Sequence, residues 1–372
     1  MRVVVAPDSF GGTLTALEAA EAVRAGWART APGDAVELLP LSDGGPGFVD
    51  VLSTVLSGRT VPVPTTDPLG RPATGTLLLA GGTAYVESAQ AIGLHLLTAA
   101  ERDPLAATSY GLGPLLAAAV ECGAGTVVIG LGGSATNDAG AGMLAALGVT
   151  PLDAAGAVLP YGGLALAALD RLDGVPQLRG ARLVAATDVD NPLCGPHGAT
   201  RAYGRQKGLR EQDAARLDAA LSRWAEVAER DLPGAPAGLA DLPGAGAAGG
   251  LGAAVLALGG QRRSGVGLVA EAVDLAGRLA AADLVLTGEG SFDFQSLRGK
   301  VAGGVAAAAL VAAVPCLVLA GQVSVGRQEA AAAGVQAAYS VAEQAGSVAA
   351  AMARPAQHLA DLAARVAAQW SR

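Results

Sequence analysis

Apolar residues in this chain come in short runs broken by glycine, proline and acidic residues. Residues 3–6, 36–39, 126–129, 182–186, 283–286, 316–319 and 336–339 are rich in β-favouring or small apolar side chains, and most lead through a polar or glycine-rich turn into a stretch of helical composition. That alternation predicts strand–helix units and a parallel sheet. Thr15 and Glu18 are spaced as a capping box opening a helix over 15–30. Further helices are predicted over 47–56, 113–122 and 210–230, the last charged and amphipathic.

Between 59 and 86 the period changes. Residues 60–64, 73–79 and 83–86 are short alternating runs separated by Pro-Leu-Gly and Gly-Gly, which predicts antiparallel strands. Two α/β domains follow: a discontinuous one over 1–62 plus 283–372, and an inserted one over 63–282. Residues 301–320 carry no charge over a membrane-spanning length, but Gly303, Gly304 and Pro315 break them, so a helix to about 313 and then a strand are expected.

The stretch 126–147 is the most distinctive. A buried strand runs into Gly130-Leu131-Gly132-Gly133-Ser134-Ala135-Thr136-Asn137-Asp138 and then a helix expected from Ala139. Gly130, Gly132 and Gly133 permit positive φ and close backbone approach, while Ser134, Thr136 and Asn137 are candidate helix caps. A helix start of this kind suits a phosphate. No lysine stands at the helix start, so this is not a P-loop. The turn does satisfy the looser G-x-G-x-x-A dinucleotide pattern, but Asp153, at nearly the right distance, does not end a strand.

Composition narrows the choices. With 51% hydrophobic and 16% charged residues, the 372-residue chain is not disordered. A net charge of −8 excludes nucleic acid and anionic membranes as general partners. Cys122, Cys194 and Cys316 lack metal-ligand spacing and suit a reducing compartment, and no secretion signal opens the chain, so a cytoplasmic location is expected. Arginine almost replaces lysine; the two lysines, Lys207 and Lys300, both lie beside glycines, and each is a compact point charge fit for phosphate.

Parallel sheets place ligands at the carboxyl ends of their strands. Those ends carry Asp8 and Ser9, Asp43, the 134–138 segment, Asp188 and Asp190, Glu289 and Asp293. Carboxylates converging on one rim repel each other unless a divalent cation joins them, and magnesium with a nucleoside triphosphate meets that need.

Taken in order, the segments Ala6-Pro7-Asp8-Ser9-Phe10, Ser42-Asp43-Gly44-Gly45, Thr108-Ser109-Tyr110-Gly111, the 132–138 turn, Asp188-Val189-Asp190-Asn191-Pro192-Leu193-Cys194-Gly195, Gln206-Lys207-Gly208, the 243–250 run, Thr287-Gly288-Glu289-Gly290 and the 293–300 segment ending in Lys300 resemble the bacterial type I glycerate kinase family. The resemblance spans nearly the whole chain. It implies a Rossmann-like or flavodoxin-like parallel-sheet domain interrupted by a second α/β domain with a mixed sheet. It implies an ATP- and magnesium-dependent kinase that phosphorylates D-glycerate, with the 2-hydroxyl favoured as acceptor.

On that reading Lys207 and Lys300 contact phosphates, and Asp188 or Asp190 holds the metal or accepts the hydroxyl proton. Asp8, Ser9, Asp43, Gly132, Gly133, Ser134, Thr136, Asn137, Glu289 and Asp293 bind substrate or phosphate. The chain departs from the family pattern at Gly11, where lysine is usual, and at Ser291, where arginine or lysine is usual. The competing classes are an NAD(P)-dependent oxidoreductase, resting on the glycine pattern, and a non-catalytic glycerate- or nucleotide-binding regulator, resting on those missing basic groups. A homo-oligomer is left open.

Overall fold

Val3, Val4 and Val5 are all buried, so the strand Arg2–Val5 is covered on both faces, as a central parallel strand requires. The computed structural model describes residues 1–297 and 299–371, and the chain divides into two units. The first comprises Met1–Asp43, Asp50–Leu56 and the chain from Ser264 onwards; the second comprises Gly44–Val49 and Ser57–Arg263.

The sheet of the first unit has five parallel strands in the spatial order Ala35–Leu38, Arg2–Val5, Leu284–Thr287, Cys316–Ala320, Val335–Ser340. Counted along this unit, that is the flavodoxin-like order 2-1-3-4-5. Val3 stands opposite Val36 on one side and Leu284 on the other. Val3, Val5, Leu284, Leu286, Leu317 and Leu319 share a core with the helices Ala16–Thr30 and Pro355–Trp370. Those helices touch at Gly26, where a Cβ would lie 2.0 Å from the Ala360 carbonyl oxygen. Thr15 caps the first of them, and the capping box with Glu18 is formed as expected.

The second unit holds a mixed sheet of six strands in sequential order. Arg59–Thr66, Pro72–Ala80 and Thr83–Glu87 are antiparallel; Thr126–Gly130, Arg182–Ala186 and Gln261–Arg263 then continue parallel to Thr83–Glu87. The helix Glu211–Asp231 closes its core with the fully buried Trp224. A separate antiparallel pair, Val149–Leu152 with Arg171–Gly174, was not expected; its strands are too short for a period-2 signal.

One boundary moves. The helix expected from Ala139 runs over Ala141–Ala146, because Ala139 (φ 51°) and Gly140 (φ 73°) are left-handed and cannot continue a helix. Its N-cap is Gly140 rather than Ser134, Thr136 or Asn137. No helix of the described residues is long and apolar enough to cross a membrane; residues 301–320 form the helix Val301–Ala312 and the strand Cys316–Ala320.

Candidate active site

In the first unit, the strands Arg2–Val5 and Leu284–Thr287 are neighbours whose connections lead off in opposite directions, and ligands bind at such a switch point. Asp8 follows the former strand and Glu289 the latter, and the Thr287 hydroxyl ties the two by donating to the Ala6 carbonyl at 2.7 Å. The Asp8 N–H donates to the Gly288 carbonyl at 2.8 Å, fixing the loops against each other. Asp43 lies beyond the strand Ala35–Leu38, and Lys300 is the N-cap residue of the helix Val301–Ala312.

The charges of these groups are felt mutually. Burial raises the Asp8 carboxyl well above the usual carboxylate range, Asp43 and Glu289 raise it further, and the Ser9 N–H and Lys300 oppose the rise. Burial likewise pushes Glu289 up to about 7, against a hydrogen bond from Ser296 and the charge of Lys300, with Asp293 and Asp43 adding to the rise. Glu289 is buried, and its Oε1 has no hydrogen-bond partner. Asp293 closes its own loop, accepting from the Gln295 N–H at 2.8 Å and the Ser296 N–H at 3.3 Å. Ser9 donates its N–H to the Asp8 carboxylate at 2.7 Å.

The second unit assembles a different cluster. Lys207 is 2% exposed, and its Nζ donates to Ser134 Oγ at 2.9 Å and to the Thr136 carbonyl at 2.7 Å. Burial pulls its ammonium down to about 7, and the nearby Asp138 charge opposes that. Asn137 donates through Nδ2 to Thr200 Oγ1 at 3.0 Å, while Thr136 Oγ1 and Asn137 Oδ1 are buried without partners. Asp138 accepts from the N–H and Oγ of Ser109, both at 2.8 Å, and from the Gly140 and Gly142 N–H groups.

The glycines of this turn accommodate the protein's own chain. A Cβ on Gly132 would lie 2.4 Å from the Gly45 Cα, and one on Gly133 would lie 3.0 Å from the Pro46 ring. Gly132 N–H donates to the Gly44 carbonyl at 3.0 Å. The close approach read from the sequence is thus made by the 44–46 segment. Contrary to the sequence expectation, Asp153 directly follows a strand, Val149–Leu152, but that strand belongs to the separate antiparallel pair. Its carboxylate accepts from the Ala155 and Ala157 N–H groups at 2.9 and 2.8 Å in a local turn, so it is not the acid at a parallel-strand end that a dinucleotide site needs.

Asp188 and Asp190 follow the strand Arg182–Ala186. Asp190 is exposed and paired with Arg262, which also donates to the Val189 carbonyl at 2.9 Å. Among the described residues no group of three or more His, Cys, Asp or Glu is placed to hold a metal ion. Magnesium is usually held by only one or two carboxylates together with substrate phosphates and water, and this pair offers that donor set.

Two residues that organise these segments carry no clear signal in the sequence. Glu87 is buried at a strand end and accepts from the Gly47 N–H at 3.0 Å and the Val49 N–H at 3.4 Å, organising the start of the helix Phe48–Val55. Its position after an alternating strand was the available signal. Arg262 sits in a strand of three polar residues that carries no hydrophobic pattern.

Residues 3–371 match the model of the glycerate kinase family. The chain is 44% identical over 330 residues to the glycerate kinase of Bacillus subtilis (strain 168), covering 87% of this chain and 86% of that one. It is 41% identical over 330 residues to the glycerate 2-kinase of Escherichia coli (strain K12), again covering 87% and 86%. A crystal structure of a protein assigned as glycerate kinase 2 from Salmonella typhimurium LT2 superposes with a TM-score of 0.80 at 39% identity, covering 99% of this chain and 98% of that one. With the family model matched over residues 3–371 and relatives more than 40% identical over most of its length, the chain belongs to the glycerate kinase family.

Proposed function

We propose that this protein is a glycerate kinase that transfers the γ-phosphoryl group of ATP to the 2-hydroxyl of D-glycerate. The observation that carries the reading is the convergence of Asp8, Asp43, Glu289 and Lys300 at the switch point of the parallel sheet. In phosphoryl transfer the protein chiefly positions reactants and neutralises charge. Lys300 supplies a positive point charge for an anionic oxygen. Magnesium bound with ATP would be held by Asp188 or Asp190 and would supply charge neutralisation to the phosphates.

Asp188 and Asp190 are the proposed metal-holding or proton-accepting pair, with Arg262 orienting Asp190. The 134–137 turn is the proposed second binding segment, and Lys207 supports it from beneath through Ser134 and Thr136. Cys194 and Cys316 are pushed up to about 12 by burial, and the three cysteines are free, which fits work in a reducing cytoplasm. The test is incubation of the purified, folded protein with ATP, magnesium and D-glycerate, with the products read by phosphorus and carbon NMR. Formation of 2-phosphoglycerate is expected; 3-phosphoglycerate would correct the acceptor, and no phosphoglycerate would remove the proposal.

A further inference from the structure

We infer that Glu289 reads an anionic substrate oxygen in its neutral carboxylic-acid form, donating a hydrogen bond beside the Lys300 ammonium, so that uptake of the anion is coupled to uptake of a proton. The inference rests on the kinase reading above and adds how its first unit admits a negatively charged substrate.

The difficulty it resolves is one of charge. Asp8 and Asp293 lie with Glu289 beside the ammonium of Lys300. With every carboxyl ionised, that cluster would repel a carboxylate or a phosphate. Neutralising Glu289 removes one negative charge and supplies one more donor at the same position. Asp8 is raised as well, but its carboxylate accepts the Ser9 N–H, whereas Glu289 has an oxygen without a partner. Glu289 is 5% exposed, and its Oε1 is buried with no hydrogen-bond partner, an arrangement that is costly for an ionised oxygen and favours the neutral acid.

The backbone holds it there. Gly288 accepts from the Asp8 N–H, the Glu289 carbonyl accepts from the Gly321 N–H at 3.0 Å, and Gly290 packs on the Phe10–Gly11 backbone. Lys300 itself is the N-cap residue of the helix Val301–Ala312. Burial pushes Glu289 up to about 7, so its proton is exchanged in the neutral range.

The shared ligand chemistry is an anionic oxygen, from the glycerate carboxylate or from an ATP phosphate. Titration calorimetry at pH 8, with D-glycerate alone and with ATP alone in buffers of different ionisation enthalpy, separates the two sources. The anion received by this cluster should take up close to one proton, and its affinity should fall about tenfold per pH unit above the Glu289 value of about 7. Glu289→Gln keeps a neutral donor; it should take up no proton and lose that pH dependence. Proton uptake near zero for both anions, or the same pH dependence in Glu289→Gln, would overturn the inference.

Carbon NMR of the Glu289 carboxyl in the ligand-free protein tests the protonation without any substrate. A midpoint within the ordinary glutamate range, about 4.3, would overturn it whatever the enzyme does. A midpoint near neutrality in a protein that forms no phosphoglycerate would leave the protonation intact and sink the kinase reading instead.

Discussion

The two units present polar clusters at strand ends in opposite states. The cluster of Lys207, Ser134 and Asn137 has its cation tied down: the buried ammonium donates to Ser134 Oγ and the Thr136 carbonyl and the Asn137 N–H donates to Thr200, while the neutral Thr136 Oγ1 and Asn137 Oδ1 are left without partners. The cluster of Asp8, Glu289 and Lys300 is frustrated, with the Asp8 and Glu289 carboxyls raised by burial and by neighbouring carboxylates. The glycine-rich turn that reads most like a phosphate cradle is packed by its own chain, while plainer strand ends carry the unspent charge. Glycine patterns report close approach without saying by what. Unsatisfied charge is the better sign of where a ligand is awaited.

The comparison is broken most directly at the lysines and acids. Lys300→Met should lower kcat/KM by about 10²–10³-fold, the loss of one aligned charge in the transition state, with the melting temperature unmoved. Steady-state kinetics and thermal unfolding check it; a stability loss with unchanged kinetics would make Lys300 a structural cap. Asp138→Ala should do the reverse. It strips four donors, on Ser109, Gly140 and Gly142, of their buried acceptor. At 1–3 kcal/mol for each group left unsatisfied, a stability loss of about 3 kcal/mol or more is expected in denaturant unfolding.

The difference between the clusters also marks what the sequence could show. Strands, their parallel order and the acids at their ends were legible, because a parallel sheet gathers every carboxyl end on one edge. Thr15 and Glu18 fixed a helix start by local chemistry alone. The purpose of Gly132 was not legible: its partner, Gly45, lies far away in the chain, and a glycine looks the same facing backbone or phosphate. Lys207 beside glycine reads as a phosphate-contacting charge; its burial against the protein's own 134–136 turn comes from packing that the local sequence does not show. The three-residue strand Gln261–Arg263 and the pair Ser291–Phe292 with Gln322–Val323 are too short for any period to register.

A smaller effect sharpens the assignment of the glycines. Gly132→Ala places a methyl 2.4 Å from the Gly45 Cα, a backbone atom that cannot swing aside. Overpacking of that kind costs about 1–3 kcal/mol, so the variant should unfold at lower denaturant yet keep its affinity for ATP. Lost ATP affinity with full stability would return Gly132 to a ligand-contact role.

The finest test is the sign of the pH dependence, which should differ between the units. Glu289 is raised from 4.5 to about 7, so the native state binds more protons than the unfolded one in that window; its contribution is complete below 4.5 and is lost as pH rises through about 7. Lys207 is lowered from 10.5 to about 7, so the unfolded state binds more protons there; its contribution is complete above 10.5 and is lost as pH falls through about 7. Each group gives a slope of at most about 1.4 kcal/mol per pH unit, so a whole-chain melt blends the two. Hydrogen exchange separates them. Amides of the strand Leu284–Thr287 should lose protection between pH 5 and 7 after correction for the intrinsic exchange rate, and Glu289→Gln should flatten that decline. Amides of the strand Thr126–Gly130 should gain protection between pH 7 and 10, and Lys207→Met should flatten that gain. If both strands follow one common slope, the clusters are not the separate electrostatic centres drawn here, and protonation acts on the chain as a whole.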